Sequence, residues 1–231
     1  MSGMLNICRI LIMITALMAP LFADTVHATG AGPLPASAQD LSGDNSLSEI
    51  VGTLDFPDGV NVFKIDIVYP LGFSAFTVPL PFGVADPELF LFDANALGVY
   101  SNDDATPIDL QSCLPSALSS NPCPSPRDGV GPTTAGIYYL AITRSENEPL
   151  SSAGYIFTPV LSTDVVGPDL TMGGGSPITG WDGGVNTSPD FDLINYDIMV
   201  QDVPEPPLVL LTAFGLAGIV AGSRKRGPQA A

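Results

Sequence analysis

The amino-acid sequence predicts an all-β domain, an antiparallel β-sandwich or jelly roll of roughly eight strands. Short apolar runs recur between turn residues from Leu47 onward. No stretch of the body sustains a helical period. The chain also carries 24 glycines and 23 prolines, residues that punctuate turns and sheet edges and weaken helix interiors.

Each strand has its own signature. "NVFKIDIVY" alternates, with Val62, Lys64, Asp66 and Val68 on one face and Phe63, Ile65, Ile67 and Tyr69 on the other, which is the pattern of a half-buried strand. "SAFTVPL" follows a Pro-Leu-Gly corner, "ELFLF" is short and apolar on both faces, and "GIYYLAIT" rises out of a Gly turn. "NYDIMVQ" closes the body, which is expected to span 47–202. The Gly, Asp and Pro-rich stretch from Ser162 to Pro189 reads as a long loop around Trp181. Residues 29–46, rich in Gly, Ala, Ser, Pro and Asp without periodicity, read as a flexible lead-in.

The N-terminus reads as an export signal. Arg9 precedes a continuous apolar stretch from Ile10 to Phe22, and Val26-His27-Ala28 has the small outer residues of a leader-peptidase site. Cleavage by signal peptidase is expected after Ala28, making 1–28 the signal peptide; about 13 apolar residues are too few to span a bilayer comfortably. Removing it also removes the single histidine, His27, and one of three cysteines. Without imidazole, Ser-His-Asp and Cys-His mechanisms are closed, and so is the commonest ligand for transition metals. Catalysis by carboxylates alone stays open, but no two of the many Asp residues are marked as a pair facing across a cleft. The expectation is a non-enzymatic protein.

Charge narrows the partners. The formal net charge is -17, and all 24 acidic residues except Asp24 and Glu205 lie between Ala28 and Val203, where the basic residues are Lys64, Arg127 and Arg144. Such a body repels nucleic acid and anionic lipid headgroups and attracts divalent cations. With 45% hydrophobic residues it nonetheless has enough apolar content for a core. Cys113 and Cys123 flank a Pro-rich loop, and in an exported chain two thiols so close in sequence pair, stabilising the fold by roughly 2–3 kcal/mol.

The C-terminus adds a second address. Leu208 to Gly222 is an apolar segment of about 15 residues, roughly 22 Å as a single hydrophobic helix and short for a permanent anchor. Arg224, Lys225 and Arg226 follow it directly and prefer the cytoplasmic side, which leaves the body outside the inner membrane. Pro204, Glu205 and Pro206 precede it, and the two prolines hold Glu205 extended, as a processing enzyme's cleft requires. "VPEP", the apolar segment and "SRKR" resemble, in order and spacing, the PEP-CTERM sorting signal, here 203–231, with "GPQAA" a short extension beyond the usual finish. That resemblance implies recognition by exosortase in a Gram-negative bacterium that makes exopolysaccharide. It implies an inner-membrane-anchored precursor, then a protein of the cell surface or extracellular matrix.

Within the body, Asp86, Asp93, Asn95, Asn102, Asp103 and Asp104 are hard oxygen donors around one predicted strand. If Glu88–Phe92 is that strand it spans about 17 Å, so Asp86 and Asp93 cannot share an ion. The better cluster is then Asp93 and Asn95 with Asn102, Asp103 and Asp104, brought together by a turn through Ala96–Gly98. Ca2+ suits such ligands; capping of turns by Asx hydrogen bonds is the other use of the same residues. Trp181, in "GWDGG", offers an indole face to a sugar or anchors a loop over the core.

Three stretches, "DGVNVFKIDI", "DPELFLFDANALGVYSNDD" and "TAGIYYLAIT", together resemble the bacterial pre-peptidase C-terminal domain. The likeness covers roughly Ile50 to Val200, its last third resting mainly on "YDIMV", and Asn61 stands where the first motif usually has a second aspartate. It implies a β-sandwich accessory module without catalysis of its own. A calcium-dependent carbohydrate- or protein-binding module is the alternative to a sorted surface protein.

Overall fold

The computed structural model describes residues 23–44, 46–55, 59–81, 86–118, 123, 130–159, 163–183 and 193–202. Residues 1–22 of the expected signal peptide lie outside the described residues, as do the expected sorting motif Pro204–Pro206, the segment 208–222 and the basic cluster Arg224–Arg226.

The fold is all-β. Strands are β1 (Asp24–His27), β2 (Gln39–Asp40), β3 (Leu47–Asp55), β4 (Asn61–Ile67), β5 (Phe73–Thr77), β6 (Pro87–Asp93) and β7 (Gly98–Asn102). The series continues with β8 (Cys113–Leu114), β9 (Gly136–Arg144), β10 (Pro149–Ser151), β11 (Gly154–Tyr155), β12 (Ile178–Trp181) and β13 (Leu193–Asp202). A five-stranded sheet in the order β1-β3-β13-β5-β8 accompanies a second in the order β2-β4-β9-β6-β7, and a small third sheet runs β11-β10-β12. All ladders are antiparallel except β1 with β3 and β2 with β4.

The sequence pattern explains the layering. Phe63, Ile65 and Ile67 of β4 join Leu89 and Leu91 of β6, Ile50 and Leu54 of β3, and Ile198 of β13 in the core drawn from both large sheets. The opposite side chains of β4 and β6, namely Val62, Phe90 and Phe92, form a second core with Ile156, Phe157 and Ile178. Thus β6 is apolar on both faces because both are covered; Leu89, Phe90, Leu91 and Phe92 are all fully buried. Gly98 opens β7 where a side chain would run into Ile156 and Phe157, so the second layer can close down on the hairpin. A Phe90→Ala change removes a ring that packs on Phe157 and Trp181, and belongs to the class costing about 3–5 kcal/mol.

Two sequence expectations change. The stretch 162–189 is not wholly loop: Ile178–Trp181 is a strand, β12, paired with β10, and its two residues Ile178 and Trp181 complete the second core. Residues 29–44 are also packed. Ala31 and Leu41 lie on the first core, and Leu34 and Ala38 on the second. Trp181 Nε1 donates to the carbonyl of Pro33 at 2.6 Å, and β2 joins the ladder of β4. Composition hides this because four small or medium apolar residues at no regular period leave no signature.

Farther upstream, β1 forms the edge beside β3, with Asp24 N–H donating to Ser46 O at 2.9 Å and Ala28 N–H to Val51 O at 2.8 Å. The cleavage expected after Ala28 would remove this strand from the sheet. Near the other end, β13 lies between β3 and β5 in the middle of its sheet. Its last residue, Asp202, accepts the N–H groups of Val68 and Tyr69 at 2.6 and 2.7 Å, pinning the corner between β4 and β5. Asn61, the departure from the resembled motif, donates through its amide to Thr53 O and to the hydroxyl of Tyr196, both at 2.8 Å. An ionised aspartate has no N–H for either bond.

Candidate functional site

The β6–β7 hairpin decides where the oxygen donors fall. Its register sets Phe92 opposite Gly98 and Leu89 opposite Asn102, so Asp93 and Asn95 sit at the turn while Asn102–Asp104 sit at the open end, a strand length away. The five residues expected to share one ion are therefore not brought together. At the turn, Asp93 Oδ1 accepts the N–H groups of Asn95 and Leu97 at 2.8 and 2.9 Å, and Asn95 Nδ2 donates to Asp93 Oδ2. These are Asx caps. Ala96 completes the turn in the left-handed region at φ 62°.

At the open end Asn102 is likewise committed. Its Oδ1 accepts Cys113 N–H at 2.8 Å, and its Nδ2 donates to the carbonyls of Asp104 and Asp164 at 3.0 and 3.3 Å. Ser112 Oγ adds a link, donating to Asn102 O and accepting Leu89 N–H. Cys113 and Cys123 form a disulfide with Cα atoms 5.5 Å apart, closing the loop predicted from their spacing.

Asp103 and Asp104 are left, and Asp86 joins them from the entry of β6. The three carboxylates place ligand atoms within 4.8 Å of one another. On each, Oδ1 is sealed from solvent and has no hydrogen-bond partner. Asp103 is only 5% exposed. Burial pushes its carboxyl up to about 7, a hydrogen bond from Ser145 opposes the rise, and the charges of Asp86, Asp104 and Glu146 add to it. Asp86 is raised by burial, then by Asp104 and Glu146; Asp104 by burial, then by Asp109.

Behind them lie two acids that sequence reading passes over. Glu88 is 4% and Glu148 7% exposed. Burial lifts Glu88 well above the ordinary range, with Glu148 next among the causes. Burial, then the charges of Asp182 and Asp103, raises Glu148 to about 8. Asp182 is fixed by accepting Glu148 N–H at 3.0 Å. One signal was available: a glutamate inside the apolar run "PELFLF" is a buried acid wherever both faces of that strand are covered.

Trp181 stands elsewhere, edge-on to Phe90 and Phe92 with ring centroids 5.4 and 6.4 Å away and its N–H spent on Pro33. That is the geometry of a loop anchor over the second core. His27 borders an open cavity of about 430 Å3 together with Gly52, Asn195, Tyr196 and Asp197 on the β1 edge.

Fold and site define a class: an acidic, disulfide-closed, all-β domain whose carboxylates gather at one end of a sheet. No family model and no curated protein sequence matches the chain.

Proposed function

We propose that this chain is an exported, non-enzymatic protein of the cell surface or extracellular matrix, handed to an exosortase-like membrane peptidase by its tail and retained with exopolysaccharide. The observation that carries this reading is the ordered composite of Pro204-Glu205-Pro206, the apolar segment Leu208–Gly222 and Arg224-Lys225-Arg226. The Cys113–Cys123 disulfide supports it, because such bonds persist in oxidising compartments outside the cytoplasm. Intact-mass measurement of the native product tests both ends together. The expected product lacks the leader and Leu208–Ala231. A product that keeps the tail is a simple anchored protein, and an untrimmed chain in the cytosol sinks the reading.

A calcium-dependent binding module is the second reading, favoured by the gathered carboxylates of Asp86, Asp103 and Asp104. Binding to the host's purified exopolysaccharide that requires calcium supports it; indifference to both removes it.

A further inference from the structure

We infer that Asp86, Asp103 and Asp104 together hold one calcium ion, which ties the entry of β6 to the exit of β7. Their ligand oxygens lie within 4.8 Å of one another, a separation compatible with oxygens each about 2.3–2.6 Å from a shared ion. A second observation is independent of that proximity. Asp103 is 95% buried in the sense that 5% of its surface is exposed, and its Oδ1 has no hydrogen-bond partner, nor have the sealed Oδ1 atoms of Asp86 and Asp104. Three adjoining buried acceptors without donors are strongly unfavourable unless something else supplies positive charge.

Neighbouring donors are already committed. Ser145 N–H goes to the carbonyl of Asp86 at 2.9 Å and its side chain bonds the Asp103 carboxyl at the oxygen other than Oδ1, while the Asn102 amide goes to Asp104 O and Asp164 O. Among the described residues Lys64 is held by Asp40 at 2.8 Å. Arg144, opposite Pro87 in the ladder, brings one positive charge to an end that also carries Glu88, Glu146 and Glu148.

The donor chemistry selects the ion. Three carboxylates are hard oxygen ligands, and the cluster contains neither imidazole nor thiolate, which favour zinc and copper. Magnesium keeps most of its water and takes one or two carboxylates, whereas calcium accepts three in loose geometry. Asp86 and Asp104 are partly exposed, so water reaches the ion to complete its shell. The expected affinity is that of extracellular modules, about 10⁻⁴–10⁻³ M. The inference bears on the binding-module reading but does not rest on it, nor on how the chain is sorted.

The test is calorimetric titration of the chelator-treated mature protein with calcium chloride alone, with magnesium chloride as comparator and melting curves beside it. Expected are one calcium per chain, a rise in Tm larger than magnesium gives, and at least about tenfold weaker binding in both Asp86→Asn and Asp104→Asn. Asp93→Asn, at the far end of the hairpin, leaves calcium affinity unchanged. No uptake by the wild-type protein at about 10 mM calcium overturns the inference. So does unchanged affinity in the Asp86 and Asp104 variants, or a loss confined to Asp93→Asn. Because Asp104 is partly exposed and asparagine keeps its shape, circular dichroism separates lost binding from lost fold, and a wild-type titration without uptake overturns the inference without any variant.

Discussion

The two ends of the β6–β7 hairpin are built from the same residue types and do opposite things. At the turn, the Asp93 carboxylate is used up by the backbone N–H groups of Asn95 and Leu97. At the open end, Asp86, Asp103 and Asp104 each keep a buried oxygen without a donor. What separates them is the supply of N–H groups. A tight turn curls its own amides toward the side chain that begins it, while at the open end the nearby amides go elsewhere: Cys113 N–H to Asn102 Oδ1, Ala105 N–H to Gln111 O and Ser145 N–H to Asp86 O. An aspartate in a loop is therefore a cap or a candidate ligand according to the local backbone, and residue type alone does not say which.

The contrast can be broken most forcefully through Asn102. Asn102→Ala removes the acceptor for Cys113 N–H and the donor to two carbonyls in a position 2% exposed, and is expected to cost about 3 kcal/mol in urea denaturation. A loss under about 1 kcal/mol means the open end is not bracketed by this amide.

Next comes pH, in calcium-free buffer. Asp103 at about 7 and Glu148 at about 8 ionise later in the native chain than unfolded, where such carboxyls titrate near 4. Between those values the native state binds more protons, so stability should fall as pH rises from about 4 to about 8. Glu148→Gln should flatten the upper part of that decline and stabilise the metal-free protein at pH 8 by on the order of 1 kcal/mol. Melting curves across that range check the sign, and stability that climbs with pH contradicts it.

A smaller effect is expected at the turn. Asp93→Ala strips the caps from Asn95 and Leu97 and should cost about 1 kcal/mol, by the same amount with and without calcium. A cost that depends on calcium would erase the distinction between the two ends. Smallest is Ala96→Gly, which relieves a left-handed alanine and should stabilise by a few tenths to about 1 kcal/mol, read from the urea midpoint.

Much of the fold was legible. "NVFKIDIVY", "ELFLF" and "GIYYLAIT" have patterns that match β4, β6 and β9 because long strands carry enough side chains to show a period. The two- to four-residue strands β1, β2, β8, β10, β11 and β12 are too short to show one, and β12 sits in "ITGWDGG", where glycine masks it. The site was legible by halves. Asp103 and Asp104 stand out in sequence, and the strand length that keeps Asp86 from Asp93 is correctly read. The same length keeps Asp93 from Asp103, but that follows only from the pairing of Phe92 with Gly98 and Leu89 with Asn102, which no local pattern reveals. Glu88 and Glu148 become neighbours through contacts between distant parts of the chain, so their mutual repulsion had no sequence signal.

The central place of β13 sets an order of events. β13 is the last of the described strands in the chain and the shared neighbour of β3 and β5, so if the chain is exported as proposed, that sheet can zip shut only after residue 202 has emerged. Because Asp202 also clasps Val68 and Tyr69, any trimming of the tail that removed Asp202 itself would unfasten the corner between β4 and β5.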